Sequence, residues 1–161
     1  MHLKGFLITL FILVVAMSGT ALAGDTYDYK SICPKYHDYA DKWSFYTCEC
    51  TSYAADKMNE HGVKLNNSYK QPSRHYWSDA SNWINAAKAA GVSYNTSPKN
   101  RDIAWFSYGH VAYVESVDSK DTISISEYNY YYPKNPYIYS TRSIKKGTSA
   151  YPKYFIHFGA K

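Results

Sequence analysis

The sequence predicts an α+β domain in which helices from its first half pack on one side of an antiparallel sheet formed by its second half. Three observations predict it. Cys50 to His61 and Asp79 to Ala90 run without a breaker, and each ends at a glycine, Gly62 and Gly91. Ser107 to Val117 and Thr122 to Tyr130 alternate apolar and polar residues around the cluster Asp118-Ser119-Lys120-Asp121, the pattern of a β-hairpin. Asp102 to Phe106 and Tyr154 to Phe158 add two further short strands. At 161 residues, 45% hydrophobic and 19% charged, the chain can bury one core and is too apolar to be disordered.

Lys4 precedes the apolar run Phe6 to Met17, and Ala21-Leu22-Ala23 then places small residues where a signal peptidase reads. That run is too short for a permanent membrane span. Residues 1–23 are therefore expected to be a cleaved secretory signal. The mature protein, starting near Gly24, is expected to be secreted, periplasmic or wall-associated, with no stable membrane association. Residues 24–41 read as an N-terminal arm, loosely held and rich in tyrosine up to Cys33, and Tyr36 to Trp43 as a short helix. Residues 42–161 form the domain proper, with no repeat or linker inside it.

Export gives the cysteines a meaning. Cys33, Cys48 and Cys50 are an odd set, which in an oxidising compartment implies one bridge and one thiol left for chemistry. Cys48 and Cys50 are too close for an unstrained ring, whereas Cys33 to Cys48 closes a comfortable loop. Cys50 is then the free thiol. It stands in the first turn of the predicted helix 50–61, capped by Ser44 or Thr47, where the positive end of the helix favours an anionic sulfur and the acidic neighbour Glu49 opposes it. The spacing of these cysteines is not that of a zinc site, and no cofactor or metal is expected.

The helix over Asp79 to Ala90, capped by Ser78 or Asp79, presents Ala80, Trp83, Ile84, Ala87 and Ala90 on one face. In the hairpin, one face of the second strand carries Ile123, Ile125, Glu127 and Asn129. An even loop centred on Asp118 and Ser119 puts His110 directly across from Glu127, while a three-residue loop shifts the pairing by one. A histidine facing a carboxylate and a carboxamide is an orienting arrangement, and what it lacks is a nucleophile.

Five stretches carry a resemblance: Cys50-Thr-Ser-Tyr-Ala, Trp77-x-x-Ala80-x-x-Trp83, Pro98-Lys99-x-x-x-Ile103-Ala104, Gly109-His110-Val-Ala-Tyr-Val-Glu115 and Ile125-Ser-Glu127-Tyr-Asn129-Tyr. In order and spacing, from about Lys42 to Phe158, the chain resembles the CHAP domain, the cysteine- and histidine-dependent amidohydrolase/peptidase family of cell-wall lysins, phage endolysins and secreted staphylococcal antigens. The resemblance implies a papain-like (NlpC/P60-like) fold and cleavage of amide bonds in peptidoglycan. It implies Cys50 as nucleophile, His110 as general base and then acid, and Glu127 with Asn129 as the groups that hold the imidazole. Two departures stand out. Glu49 replaces the family's usual Gln before the cysteine, and Arg101 replaces a usual Gly. Asp38 and Asp41 are too few for the calcium loop of some phage members.

The mildly basic charge, +5 over the whole chain, and the tyrosines at Tyr128 and from Tyr130 to Tyr139 suit a surface that meets glycans and anionic wall polymers. Nucleic acid is the other partner of a basic, aromatic surface, and export with no Arg-rich run argues against it. The expectation is a monomeric secreted peptidoglycan hydrolase, either an N-acetylmuramoyl-L-alanine amidase or an endopeptidase. The competing readings are a non-catalytic wall-binding or antigen-like protein with a degenerate site, favoured by Glu49, and a secreted thiol protease acting on proteins.

Overall fold

The computed structural model describes residues 24–130 and 136–159. The expected signal over 1–23, and Tyr131 and Tyr132 of the tyrosine-rich stretch, lie outside the described residues. Helix α1 spans Cys50–Glu60, and a 3₁₀ turn over Ala80–Asn82 leads into α2, Trp83–Ala89. Six strands follow: β1 Ser93–Asn95, β2 Ile103–Phe106, β3 His110–Val117, β4 Ile123–Tyr128, β5 Tyr139–Ile144 and β6 Tyr154–His157. They form one sheet in the order β1-β6-β2-β3-β4-β5, with every described pairing antiparallel. The fold is the α+β class the sequence predicts.

Alternation along the strands sorts side chains onto two faces. Ile103, Val111, Tyr113, Tyr128 and Ile156 pack with Tyr53, Ala54 and Met58 of α1 and with Trp77, Trp83 and Ala87. Ala104, Phe106, Ala112, Val114, Ile125 and Phe155 form a second cluster on the opposite face. Helix α1 is buried from Cys50 through Met58, on every side and not only along one stripe. The sheet covers one side and the N-terminal segment covers another: Tyr27 is 1% exposed and packs on Tyr53 and Tyr128. Its hydroxyl meets the Ser52 hydroxyl and accepts the Cys48 N–H, and Ser52 in turn donates to Asp41. The arm is thus fixed in the core, in contrast to the loose segment expected, because one tyrosine supplies both apolar area and a polar tip that α1 needs.

Tyr36 to Trp43 is turn and loop, not a helix. Asp41 explains the difference: its carboxylate accepts the N–H groups of Trp43 and Phe45, and a bridge pairs Ala40 with Tyr46. A side chain that takes backbone donors in this way competes with helix formation. A disulfide joins Cys33 to Cys48 across a Cα–Cα distance of 5.7 Å. Strands β1 and β5 were not expected from the pattern, and the caps foreseen for α1 at Ser44 or Thr47 are absent: Glu49 holds the N-cap position with an extended backbone and no side-chain cap.

The hairpin register also differs. Val117 pairs with Ile123 across a five-residue loop, which by itself would put His110 and Glu127 on opposite faces. A bulge at Glu115 shifts the pairing, so that Tyr113 pairs with Ser126 beyond it. His110 is therefore not directly across from Glu127. The two share a face as diagonal neighbours, with Ala112 falling opposite Glu127 on the continued register.

Candidate active site

Three elements bring the site together. Cys50 opens α1, His110 opens β3, and Glu127 lies near the end of β4. Gly109, at φ +87, lets the chain turn from β2 into β3, and its N–H donates to the Phe106 carbonyl. Cys50 is the free cysteine, 8% exposed, and it reaches a cleft of ≈ 270 Å³ lined also by Tyr46, Glu49, Thr51, Asp79, Ala80 and Gly109. A second hollow shares Tyr46, Thr51 and Asp79 and continues past Ser44 and Asn67, so the two make one groove. No acceptor among the described residues takes the Cys50 backbone N–H. It is one of the backbone donors that a helix start leaves without an intrahelical partner.

His110 is 5% exposed, and its Nε2 lies 2.8 Å from Oε2 of Glu127, a residue with no exposed surface. With Nε2 engaged by Glu127, Nδ1 is the ring nitrogen left for a second partner. Burial pushes the imidazole toward its neutral form, but the hydrogen bonds and charges of Cys50 and Glu127 outweigh it and push His110 up to about 9. For Glu127, burial favours the neutral acid, while the bonds from His110 and Arg142 overcome it and hold the carboxyl below its ordinary range.

Among the described residues no hydrogen bond joins Asn129 to the imidazole, and its side chain is paired elsewhere. Its Nδ2 donates to Oε2 of Glu49 at 2.8 Å, and its Oδ1 accepts the Tyr137 N–H. The cause is its backbone. Asn129 sits at φ 51, a left-handed conformation that asparagine tolerates, and this turn out of β4 directs the side chain toward the start of α1. Glu49, which the sequence reading took as an unmatched negative charge beside the sulfur, is thereby paired with an amide.

Arg142 is the residue that sequence reasoning missed. From β5 its Nε donates to Oε1 of Glu127 at 2.6 Å and its Nη2 to Oε2 at 2.9 Å. The guanidinium lies 3.7 Å from the centre of the Tyr130 ring. Tyr108 and Tyr130 also flank His110, at 6.1 and 5.6 Å between ring centres. Among the described residues, no three His, Cys, Asp or Glu side chains gather as a metal site.

Comparison with known proteins places this geometry. The family model described as CHAP domain matches residues 39–129, which include Cys50, His110, Glu127 and Asn129. The chain is 38% identical over 105 residues to staphylococcal secretory antigen ssaA2 of Staphylococcus aureus strain NCTC 8325, covering 63% of this chain and 34% of that protein. It is 38% identical over 96 residues to staphylococcal secretory antigen SsaA of the same strain, covering 57% and 33%. The chain thus matches about a third of the length of these relatives. A crystal structure of N-acetylmuramoyl-L-alanine amidase from Staphylococcus aureus superposes with a TM-score of 0.55 and 29% identity, over 74% of this chain and 33% of that one. With more than half of its length matched by the family model, over a stretch that includes Cys50 and His110, the chain belongs to the CHAP domain family.

Proposed function

We propose that this protein hydrolyses an amide bond of peptidoglycan through a thioester on Cys50. The observation that carries the reading is the line Cys50, His110, Glu127, with the sulfur at a cleft and both partners buried behind it. The solved amidase, similar in fold and sequence, supports peptidoglycan as the substrate. The relatives named as secretory antigens support export, and residues 1–23 would be the signal that is removed. No helix among the described residues is long and apolar enough to cross a membrane.

In the proposed reaction His110 takes the Cys50 proton through Nδ1, while Glu127 accepts the Nε2–H bond and so fixes the ring and its tautomer. The sulfur attacks the amide carbonyl, and the Cys50 N–H at the helix start stabilises the oxyanion. Collapse breaks the C–N bond, the imidazolium gives its proton to the leaving amine, and a thioester remains. Water, deprotonated by His110, then attacks the thioester and releases the carboxylic acid and the thiol. The groove past Tyr46 toward Ser44 and Asn67 is where we place the extended substrate.

Glu49 favours a second reading, a wall-binding protein with a degenerate site. Its pairing with Asn129 weakens that reading, because the carboxylate is occupied by an amide donor. Mass spectrometry of fragments released from purified peptidoglycan tests the proposal and identifies the bond. A new amino terminus on L-alanine marks an amidase, and one within the stem or cross-bridge marks an endopeptidase. Wall binding without any release would favour the second reading.

A further inference from the structure

We propose that Arg142 is a positioning residue for the reaction, holding the Glu127 carboxylate in the plane and rotation that present Oε2 to His110. The proposal rests on the hydrolase reading above. It concerns a residue outside the stretch 39–129 that the family model matches.

Glu127 is buried without exposed surface, so both of its oxygens need protein partners. His110 supplies only one contact, on Oε2. A carboxylate held by a single bond is free to turn about its terminal torsion, a broad and weakly restricted one. Arg142 removes that freedom. Its Nε takes Oε1 at 2.6 Å and its Nη2 takes Oε2 at 2.9 Å, while Ser140 Oγ lies at 3.4 Å from Oε1. This fork fixes the carboxylate plane as a lysine, with one compact charge, would not.

The guanidinium is itself fixed. It lies 3.7 Å from the centre of the Tyr130 ring and 5.3 Å from that of Phe106. The same two rings stand 5.6 and 5.7 Å from the imidazole, so one aromatic frame holds both partners of Glu127. Arg142 does not line the cleft at Cys50. It therefore acts through Glu127 and not on the substrate, and its loss should appear in kcat and leave KM nearly unchanged.

The experiment uses Arg142→Met and Arg142→Lys in the full chain. Kinetics on purified peptidoglycan are measured beside the downfield proton NMR signal of the imidazole Nε2–H bonded to Glu127. Arg142→Met is expected to lower kcat on the order of a hundredfold, the scale of a misplaced catalytic group, and to broaden or lose that signal. Arg142→Lys, which keeps charge without the fork, should fall between. Wild-type kcat with the signal intact in a folded Arg142→Met protein, or a change in KM alone, overturns the proposal. If Arg142→Met does not fold, Arg142→Lys decides: reduced kcat with a weakened signal supports the role, and wild-type behaviour overturns it. If the wild type itself turns over no peptidoglycan, the hydrolase reading has failed, and the NMR comparison still decides whether Arg142 orients the pair.

Discussion

Oε2 of Glu127 lies 2.8 Å from Nε2 of His110, although the two residues do not face each other across the β3–β4 ladder. The contact is diagonal, and it depends on the bulge at Glu115. The five-residue loop that pairs Val117 with Ile123 sets one parity, and the extra residue restores the other. Deleting Glu115 should therefore turn His110 away from Glu127 and abolish turnover. Glu115→Gln, which keeps the bulge and an acceptor for the Ser126 hydroxyl, should stay active. Comparing the activity of the two folded variants checks this.

The charge on Glu127 should be visible in the pH profile. His110 is pushed up to about 9, against burial, by Cys50 and Glu127. Because His110 must be unprotonated to take the Cys50 proton, kcat/KM should rise with pH along a limb near that value. Glu127→Gln removes one of the raising charges, so the limb should move to lower pH. The sign for stability follows the same shifts. The raised histidine contributes stability fully below its ordinary value of 6.5 and loses it as pH rises through about 9. The lowered Glu127 contributes above its ordinary value of 4.5 and loses it as pH falls through its depressed one. Urea midpoints of wild type and Glu127→Gln across pH, taken as a difference, would show both.

Glu49 offers a test of local electrostatics. Glu49 lines the same cleft as Cys50, and its carboxylate accepts from Asn129. Glu49→Gln removes the charge that opposes an anionic sulfur. The rate of Cys50 alkylation by iodoacetamide at pH 7 should rise severalfold. An unchanged or lower rate would show that pairing with Asn129 already neutralises the effect.

Two covalent and polar ties hold the N-terminal segment on α1. Removing the Cys33–Cys48 disulfide, which spans a sequence separation of 15, by the double change Cys33→Ser and Cys48→Ser should lower unfolding free energy by about 3 kcal/mol. Tyr27→Phe leaves the buried Cys48 N–H and Ser52 hydroxyl each without one partner, and should cost about 1–3 kcal/mol. Denaturant titration measures both.

The contrast between what the sequence revealed and what it hid follows from how each residue is encoded. Helix α1 and the β3–β4 hairpin were legible because an uninterrupted run closed by Gly62 and an apolar/polar alternation are local signals. Cys50, His110 and Glu127 stood out because their residue types match interlocking chemical roles. Strand β5 was not legible: Tyr139-Ser-Thr-Arg-Ser-Ile144 lies at the sheet edge, mostly half-buried, and shows no apolar alternation. Arg142 was hidden with it, since nothing local marks an arginine whose partner is 15 residues away on another strand. The Tyr36 to Trp43 segment misled because Asp41 serves the backbone there as a turn-former. The partners that Asn129 takes were not legible because its side-chain direction comes from one left-handed backbone angle, which composition does not record.

The most direct test of the account is turnover of purified peptidoglycan by residues 24–161 and by their Cys50→Ala variant, followed as soluble fragments. The account predicts fragments from the wild type and none from a folded Cys50→Ala protein. Equal release by both would contradict a thioester on Cys50, and release by neither, with binding retained by both, would contradict the hydrolase itself.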